Sequence, residues 1–392
     1  MSSPSPSDRS RAAPEGHAAL ALFQLAPDFL HLNHGSYGAV PKSVAAEQDR
    51  IRAAIERNPT QFFNDVLPGE LRRLAGLAAQ RFGGSAGDWV FVENATFAVS
   101  SILSSFPLRS GDEILTTSHV YGAVLKAMRV YAARQSAKLV IADIPSIVES
   151  EDQIADAITR AFTPRTRLLI VDHITSPTAI VFPVARIASA ARNAGIAVLV
   201  DGAHAPGHID IDVNAVGADW YTGNAHKWLF APRGCGLLWT APHRQSQTLP
   251  AVLSHGAESG YLAAFDWVGT RDVTAWLSFE AALAAHDAFG RAGLMARNRA
   301  LANLAGESLA RAFGTQLSAP APMRAAMASI DLGKREGRLA ADRLRRDIAM
   351  QHKIVAAIFE YQSRVLLRIS AQVYNEQPDY DALAKILAVG AG

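Results

Sequence analysis

The sequence predicts an α/β protein: a large, mostly parallel sheet with helices on both faces, then a smaller α+β part. Three observations predict it. Apolar runs of strand length alternate with helix-period stretches from about residue 89 to residue 240. Several of those runs stop abruptly at a polar residue. After about residue 272 the alternation gives way to long alanine-rich helices and then to mixed strands and helices. With 392 residues, 49% of them hydrophobic, the chain can bury a large core and form two domains.

Residues 1–17 are rich in Ser, Pro and Arg, lack the apolar core of a signal peptide, and read as a disordered leader. Strands are expected at 89–93, 113–116, 139–142, 167–172, 196–201 and 236–240. Between them, 96–106, 121–134 and 184–193 read as helices, 154–162 is amphipathic, and Gly195 fits a C-terminal cap. Beyond them, helices at 275–289, 294–313, 338–351 and 378–389 accompany strands at 326–331, 354–359 and 365–370. The large domain is placed at 46–280 and the small one at 281–392. In open parallel sheets, ligands bind beyond the carboxyl ends of the strands. Asn94, His119, Asp172 and Asp201 lie at or just past such ends and should converge on one crevice.

Charge narrows the partners. Lys and Arg number 38 against 36 Asp and Glu, and no basic run marks a nucleic-acid or anionic-membrane surface. No segment approaches the roughly 18 apolar residues of a membrane span. Cys235 is the single cysteine, so an internal disulfide and a Cys-ligated zinc site are excluded, and a cytoplasmic location fits.

The chemistry concentrates between residues 196 and 237. An apolar run ends in Asp201, and Lys227 follows in an Asn-Ala-His-Lys-Trp context. A carboxylate at a strand end and a nearby lysine are the two groups pyridoxal phosphate requires. The amine attacks the cofactor aldehyde, and the carboxylate keeps the ring nitrogen protonated. Alone, Asp201 reads equally well as a turn aspartate before Gly202. Lys227 alone is a surface lysine, but its neighbours Trp228, Leu229 and Phe230 are apolar, and it is one of only seven lysines. Arginine cannot deprotonate to take that part.

His204 suits a donor to the cofactor's phenolic oxygen, a structural histidine or a metal ligand. A metal-dependent hydrolase using Asp201, His204, His208 and His226 is the alternative from another class. Pro206 and Gly207 weaken it by breaking any helix that would align the two histidines. Asn94-Ala95-Thr96, at a strand–helix junction, fits phosphate binding through backbone N–H groups and the Thr hydroxyl. An Asn N-cap fits those residues equally. His119 and Tyr121 offer flat side chains for stacking on a ring, and Tyr121 an acid or base; packing at a helix start is the plainer reading. Arg368 interrupts the apolar run Leu366–Ser370 and wants an anion, either a substrate carboxylate or an internal salt bridge.

Taken in order, LNHGSYGAVP (32–41), ENAT (93–96), LTTSHVYGAV (115–124), VDGAHAPG (200–207), GNAHKW (223–228), SHG (254–256), WVGTRD (267–272) and LRISAQVYN (367–375) resemble a known family. The chain resembles fold-type I pyridoxal-phosphate enzymes of the class V aminotransferase family, in the isopenicillin N epimerase-like subgroup. The resemblance implies a seven-stranded-type large sheet and a small-molecule amino-acid substrate. Lys227 would carry the cofactor and act as base at Cα. Asp201 would pair with the ring nitrogen and His204 with the phenolic oxygen. Asn94, Ala95, Thr96, Asn224 and His226 would hold the phosphate. Thr270 would reach the phosphate of a neighbouring subunit, which implies a homodimer with shared sites. Tyr121 or His119 would stack on the ring. Arg368 would grip the substrate carboxylate with Asn33 nearby, and residues 18–45 would pack on the small domain.

The family's reactions diverge after Cα–H removal. β-Elimination at an S-substituted cysteine is favoured here. Epimerisation at Cα is the alternative, followed by decarboxylation-coupled deamination and transamination. Cysteine desulfurases need a cysteine on a mobile loop. Cys235, at the head of an expected strand, reads as structural, which argues against that branch. A regulatory relative without catalysis is disfavoured by the presence of Lys227, Asp201 and Arg368.

Overall fold

A computed structural model describes residues 13–333 and 337–389; residues 1–12, most of the expected leader, lie outside them. The strands in chain order are β1 (Leu30–His31), β2 (Trp89–Val92), β3 (Glu113–Thr117), β4 (Lys138–Ala142), β5 (Thr166–Asp172), β6 (Ala197–Gly202), β7 (Trp220–Asn224), β8 (Gly236–Thr240), β9 (Met327–Asp331), β10 (Ile354–Val355), β11 (Ala357–Tyr361) and β12 (Arg364–Ser370).

Seven of them form one sheet in the order β2-β8-β7-β6-β5-β3-β4. Strand β8 runs antiparallel to β2 and β7, and the other adjacent pairs are parallel. The carboxyl ends of β2, β3, β5, β6 and β7 therefore open on one edge. The sheet is covered on both faces, which is why its strands read as near-continuous apolar runs. Leu169, Val171, Val198 and Val200 belong to one apolar layer. Leu168, Ile170, Ala197 and Leu199 belong to the other. That alternation is the two-residue period of a pleated strand. Helices Ala95–Ser105, Gly122–Arg134, Glu151–Arg160 and Val184–Asn193 follow β2, β3, β4 and β5, close to where the sequence puts them.

Several features differ from expectation. Strand β7 is absent from the sequence reading, as are helices Lys42–Arg57 and Leu67–Phe82. The single helix expected at 275–289 is two, Thr274–Leu277 and Phe279–Ala288. Ser278 lies at the break and its hydroxyl donates to the Thr274 carbonyl at 2.7 Å, a local bond that competes with helix geometry. The strand expected at 354–359 divides at Ala356, because β10 pairs with β1 while β11 pairs with β12.

Strands β11, β12 and β9 form a separate antiparallel sheet in that order. Helices Ala292–Ala312, Gly337–His352 and Gln377–Val389 accompany it. The N-terminal segment lies against this part of the chain. Strand β1 pairs with β10, the Gly16 N–H donates to the Val373 carbonyl at 2.8 Å, and Phe23 meets Tyr374 edge-on at 5.1 Å. Among the described residues, no helix is long and apolar enough to cross a membrane.

Candidate active site

Where β2, β5, β6 and β7 end, a cavity of about 260 Å³ opens. Asn94, Ala95, Thr96, Tyr121, Asp172, Asp201, His204, Asn224, His226 and Lys227 line it, joined by Ser36, Tyr37, Ser176 and Ala203.

One corner is built for an anion. Asn94 is extended and caps helix Ala95–Ser105, its side-chain oxygen accepting from the Phe97 N–H at 2.9 Å. The Ala95 N–H donates to Asn224 Oδ1 at 2.8 Å, which ties the helix start to the end of β7. Thr96 is exposed toward the cavity, at the positive end of the helix dipole. Gly236 permits this closeness, since a Cβ there would lie 2.7 Å from Asn94 Cα.

The floor is acidic. Asp172 and Asp201 are in register on neighbouring parallel strands, and both are buried. Asp201 Oδ1 accepts from the Ala203 N–H at 2.9 Å. Asp172 Oδ2 is buried without a partner. Burial pushes both carboxyls up, and at Asp172 the charge of Asp201 adds to it; Lys227 opposes the shift at each.

Lys227 reaches into this space surrounded by protein. Burial, helped by the Arg368 guanidinium, pushes its ammonium down to about 7 against the pull of Asp201 and Asp172. Its Nζ lies 3.3 Å from His204 Nε2. The Trp228 indole N–H faces His204 Nδ1 at 3.5 Å. An indole nitrogen only donates, so Nδ1 accepts and Nε2 carries the hydrogen aimed at the lysine. Burial also pushes the His204 imidazolium well down, so the ring stays neutral.

His208 does not join the cavity. The Ala326 N–H donates to its Nε2 at 2.6 Å, its Nδ1–H donates to the His204 carbonyl at 2.9 Å, and its ring stacks on Trp228 at 3.8 Å. Both nitrogens are occupied, so the four-residue metal set does not assemble. Among the described residues no cluster of three or more His, Cys, Asp or Glu is arranged to hold a metal.

His119 requires a correction. It is buried, with Nδ1 2.7 Å from the Thr178 hydroxyl and Nε2 3.0 Å from the Pro145 carbonyl. Those bonds tie the ring to the segments around Pro145 and Thr178, and His119 is not among the residues that line the cavity. Tyr121, two residues on, is 45% exposed and lines the cavity.

Arg368, in mid-strand on β12, is 4% exposed. Its Nη1 donates to the Ser176 carbonyl at 2.7 Å and hydroxyl at 3.0 Å, and its Nη2 to the Ser36 hydroxyl at 3.0 Å. Its Nε has no partner. Among the described residues it forms no ion pair, which removes the internal salt bridge as its explanation. Asn33 stands one bond away, accepting from the Ser36 hydroxyl at 2.7 Å. His226 Nδ1–H donates to the Cys235 carbonyl at 3.0 Å. Thr270 lies outside the cavity, in a surface depression with Glu93 and Arg271. Cys235 is fully buried, and burial pushes its thiol up, the opposite of an activated nucleophile.

Ser36, Tyr37 and Ser176 were not singled out by the sequence. The first two belong to the LNHGSYGAVP stretch, which crosses the lysine loop. The His34 Nε2–H donates to the Lys227 carbonyl at 3.0 Å, and its Nδ1 accepts from the Tyr374 hydroxyl at 2.9 Å. Gly38 has a left-handed φ of 69°, and a Cβ there would sit 2.0 Å from the His226 carbonyl.

This set fits pyridoxal phosphate: a helix start for the phosphate, a buried carboxylate for the ring nitrogen, an aromatic face, and a lysine shifted toward the free amine. Solved structures agree on the fold. The cystine C–S lyase C-DES in complex with its product cysteine persulfide superposes with a TM-score of 0.77 at 20% identity, over 95% of this chain and 99% of that one. The Escherichia coli cysteine desulfurase CsdA does so with a TM-score of 0.75 at 21%, over 95% and 96%. The fold is therefore that of the fold-type I pyridoxal-phosphate enzymes.

The family model for aminotransferase class-V matches residues 78–383. Isopenicillin N epimerase of Streptomyces clavuligerus is 32% identical over 93% of this chain and 95% of its own length. L-cysteine desulfhydrase of Arabidopsis thaliana is 28% identical over 90% and 86%. The chain belongs to the aminotransferase class-V family, and its cofactor is pyridoxal 5'-phosphate.

Proposed function

We propose that this enzyme removes a sulfur substituent from the β-carbon of a cysteine-type amino acid by elimination. The observation that carries the reading is Lys227. Its amine, shifted to about 7 inside the cavity, is poised to take and return a proton near neutral pH. When bound, pyridoxal phosphate supplies an electron sink for charge left at Cα. Asp201 would keep the ring nitrogen protonated, while Asn94, Ala95, Thr96, Asn224 and His226 would hold the phosphate and Tyr121 would cover the ring. The His204 Nε2–H would orient first the lysine amine and then the phenolic oxygen. Arg368, already held by Ser36 and Ser176, would present its guanidinium to the substrate carboxylate, with Asn33 steadying Ser36. Lys227 then removes the Cα proton, the Cβ–S bond breaks, and the sulfur leaves as a thiol. Hydrolysis of the remaining unsaturated amine consumes one water and gives a ketoacid and ammonia.

Epimerisation at Cα is the second reading, supported by the similarity to isopenicillin N epimerase and by Tyr121, a second acid or base lining the cavity. It shares the first proton transfer and differs in returning a proton to the opposite face. The two separate in one experiment with S-substituted cysteines in deuterated water. Elimination predicts equal amounts of thiol, ketoacid and ammonia. Inverted, deuterium-labelled amino acid without ketoacid would sink the lyase reading and leave the epimerase.

A cytoplasmic homodimer is part of the same proposal, with a large domain at 46–280 and a small one at 281–392. Thr270 lies on the surface outside its own cavity, as a residue reaching a neighbouring subunit's phosphate would. Sedimentation of the cofactor-loaded protein as a monomer would overturn the shared-site arrangement.

A further inference from the structure

Asp172 has no part in the steps above, yet it is among the most constrained groups in the cavity. It closes β5 directly beside Asp201 on β6, and adjacent strands lie only about 4.8 Å apart. Both carboxyls are buried, and both feel one cation in common, Lys227. Two buried carboxylates so close repel strongly if both ionise. Asp201 has the Ala203 N–H as a partner and, with the cofactor bound, the protonated ring nitrogen. Asp172 Oδ2 has neither, and is sealed from water with no bond made. A buried polar atom left unpaired calls for a physical reason, and beside a cavity shaped for a ligand a group on that ligand can supply one.

We infer that Asp172 is a positioning residue that carries a proton, so that the Asp172–Asp201 pair holds a single negative charge, placed on Asp201, and Asp172 offers an O–H to the bound ligand. The inference rests on the pyridoxal-phosphate reading of the cavity. The other groups facing Asp172 are consistent with it. Burial and the charge of Asp201 raise its proton affinity, while the main chain of Tyr121 and the ammonium of Lys227 oppose this. The phenol of Tyr361, reaching over from β11, is an acid kept neutral by burial and stands as a further uncharged neighbour. A neutral Asp172 leaves Asp201 undivided in its attraction for the ring nitrogen.

The test is an absorbance titration of the visible cofactor band in the cofactor-loaded enzyme, for the wild type and for Asp172→Asn. Asparagine keeps the shape, the neutrality and a donor. The expected result is a band midpoint within about 0.3 pH unit of the wild type and a cofactor dissociation constant within about threefold. A shift of about one unit or more would show that a charge had been removed, and would overturn the inference. If Asp172→Asn does not fold, infrared difference spectra of the wild-type holoenzyme serve instead. A carbonyl stretch of a buried protonated carboxyl at pH 7 supports the inference, and its absence overturns it. No visible band in the wild type after adding pyridoxal phosphate would bring down the cofactor reading itself, a different failure from a shifted band in the variant.

Discussion

The two sheets equip the cavity in different ways. The seven-stranded sheet supplies groups at strand ends and in the loops beyond them: Asn94, Asp172, Asp201, Asn224 and Lys227. Two of them take part in local side-chain bonds, Asp201 with the Ala203 N–H and Asn224 with the Ala95 N–H. The three-stranded sheet supplies Arg368 from mid-strand, paired with Ala357 on one side and Ser329 on the other. Strand ends gather the groups proposed to exchange protons and hold the cofactor. A strand interior holds a cation that has only to stay charged and in place. On the proposed assignment, cofactor binding and substrate recognition fall to separate sheets, and substitutions should separate them.

The largest effect is expected for Lys227→Ala. It should abolish the visible cofactor band that borohydride reduces, and lower turnover by roughly 10²–10⁴-fold or more. Turnover retained with the band absent would break the assignment of the base. Arg368→Gln should leave the band intact and raise KM for the amino acid by roughly 10- to 100-fold, the value of hydrogen bonds to a charged group. Loss of the cofactor in that variant would erase the division between the sheets. The pH dependence sharpens the same point. Lys227 is an ammonium below about 7 and a free amine above it. The rate at which the cofactor-free protein takes up pyridoxal phosphate should therefore rise through that pH and level off above it. Because the Arg368 guanidinium helps to depress Lys227, Arg368→Gln should move the midpoint to higher pH; a downward move would contradict the arrangement.

His208→Ala tests the seam between the sheets. It leaves the Ala326 N–H without its acceptor and should cost about 1–3 kcal/mol in stability, read as a lower melting temperature. An unchanged melting temperature would mean that water replaces the imidazole. The smallest effect belongs to Cys235→Ala, for which turnover should stay within about twofold, because a buried thiol with raised pKa takes no part in the chemistry. A large loss of turnover without loss of fold would return the desulfurase branch.

Much of this site was legible because strand ends write themselves into a sequence: an apolar run stops, and Asp172 or Asp201 follows. Arg368 was visible by the same contrast, as one cation in an apolar strand. What escaped was set by packing. Strand β7 reads Trp-Tyr-Thr-Gly-Asn, and its polar residues are buried through contacts made elsewhere, such as the Thr222 hydroxyl donating to the Leu237 carbonyl at 2.8 Å. His119 and Tyr121 stand two residues apart after one strand, and nothing local says which faces inward. For His204 and His208 the sequence offered only the helix break at Pro206 and Gly207; the partner that holds His208, the Ala326 N–H, lies over a hundred residues away. Ser36 and Ser176 come from distant segments and matter only because Arg368 lies between them.

The strap formed by the start of the chain has a consequence for the making of the protein. His34 reaches both the Lys227 carbonyl and, 340 residues downstream, the Tyr374 hydroxyl. At roughly 5–20 residues per second, about 20–70 s of translation separate the two ends of that latch. His34 is therefore made well before the residue that completes its latch. A chain stopped short of Tyr374 carries its lysine loop already made but without the far anchor that clamps the strap across it.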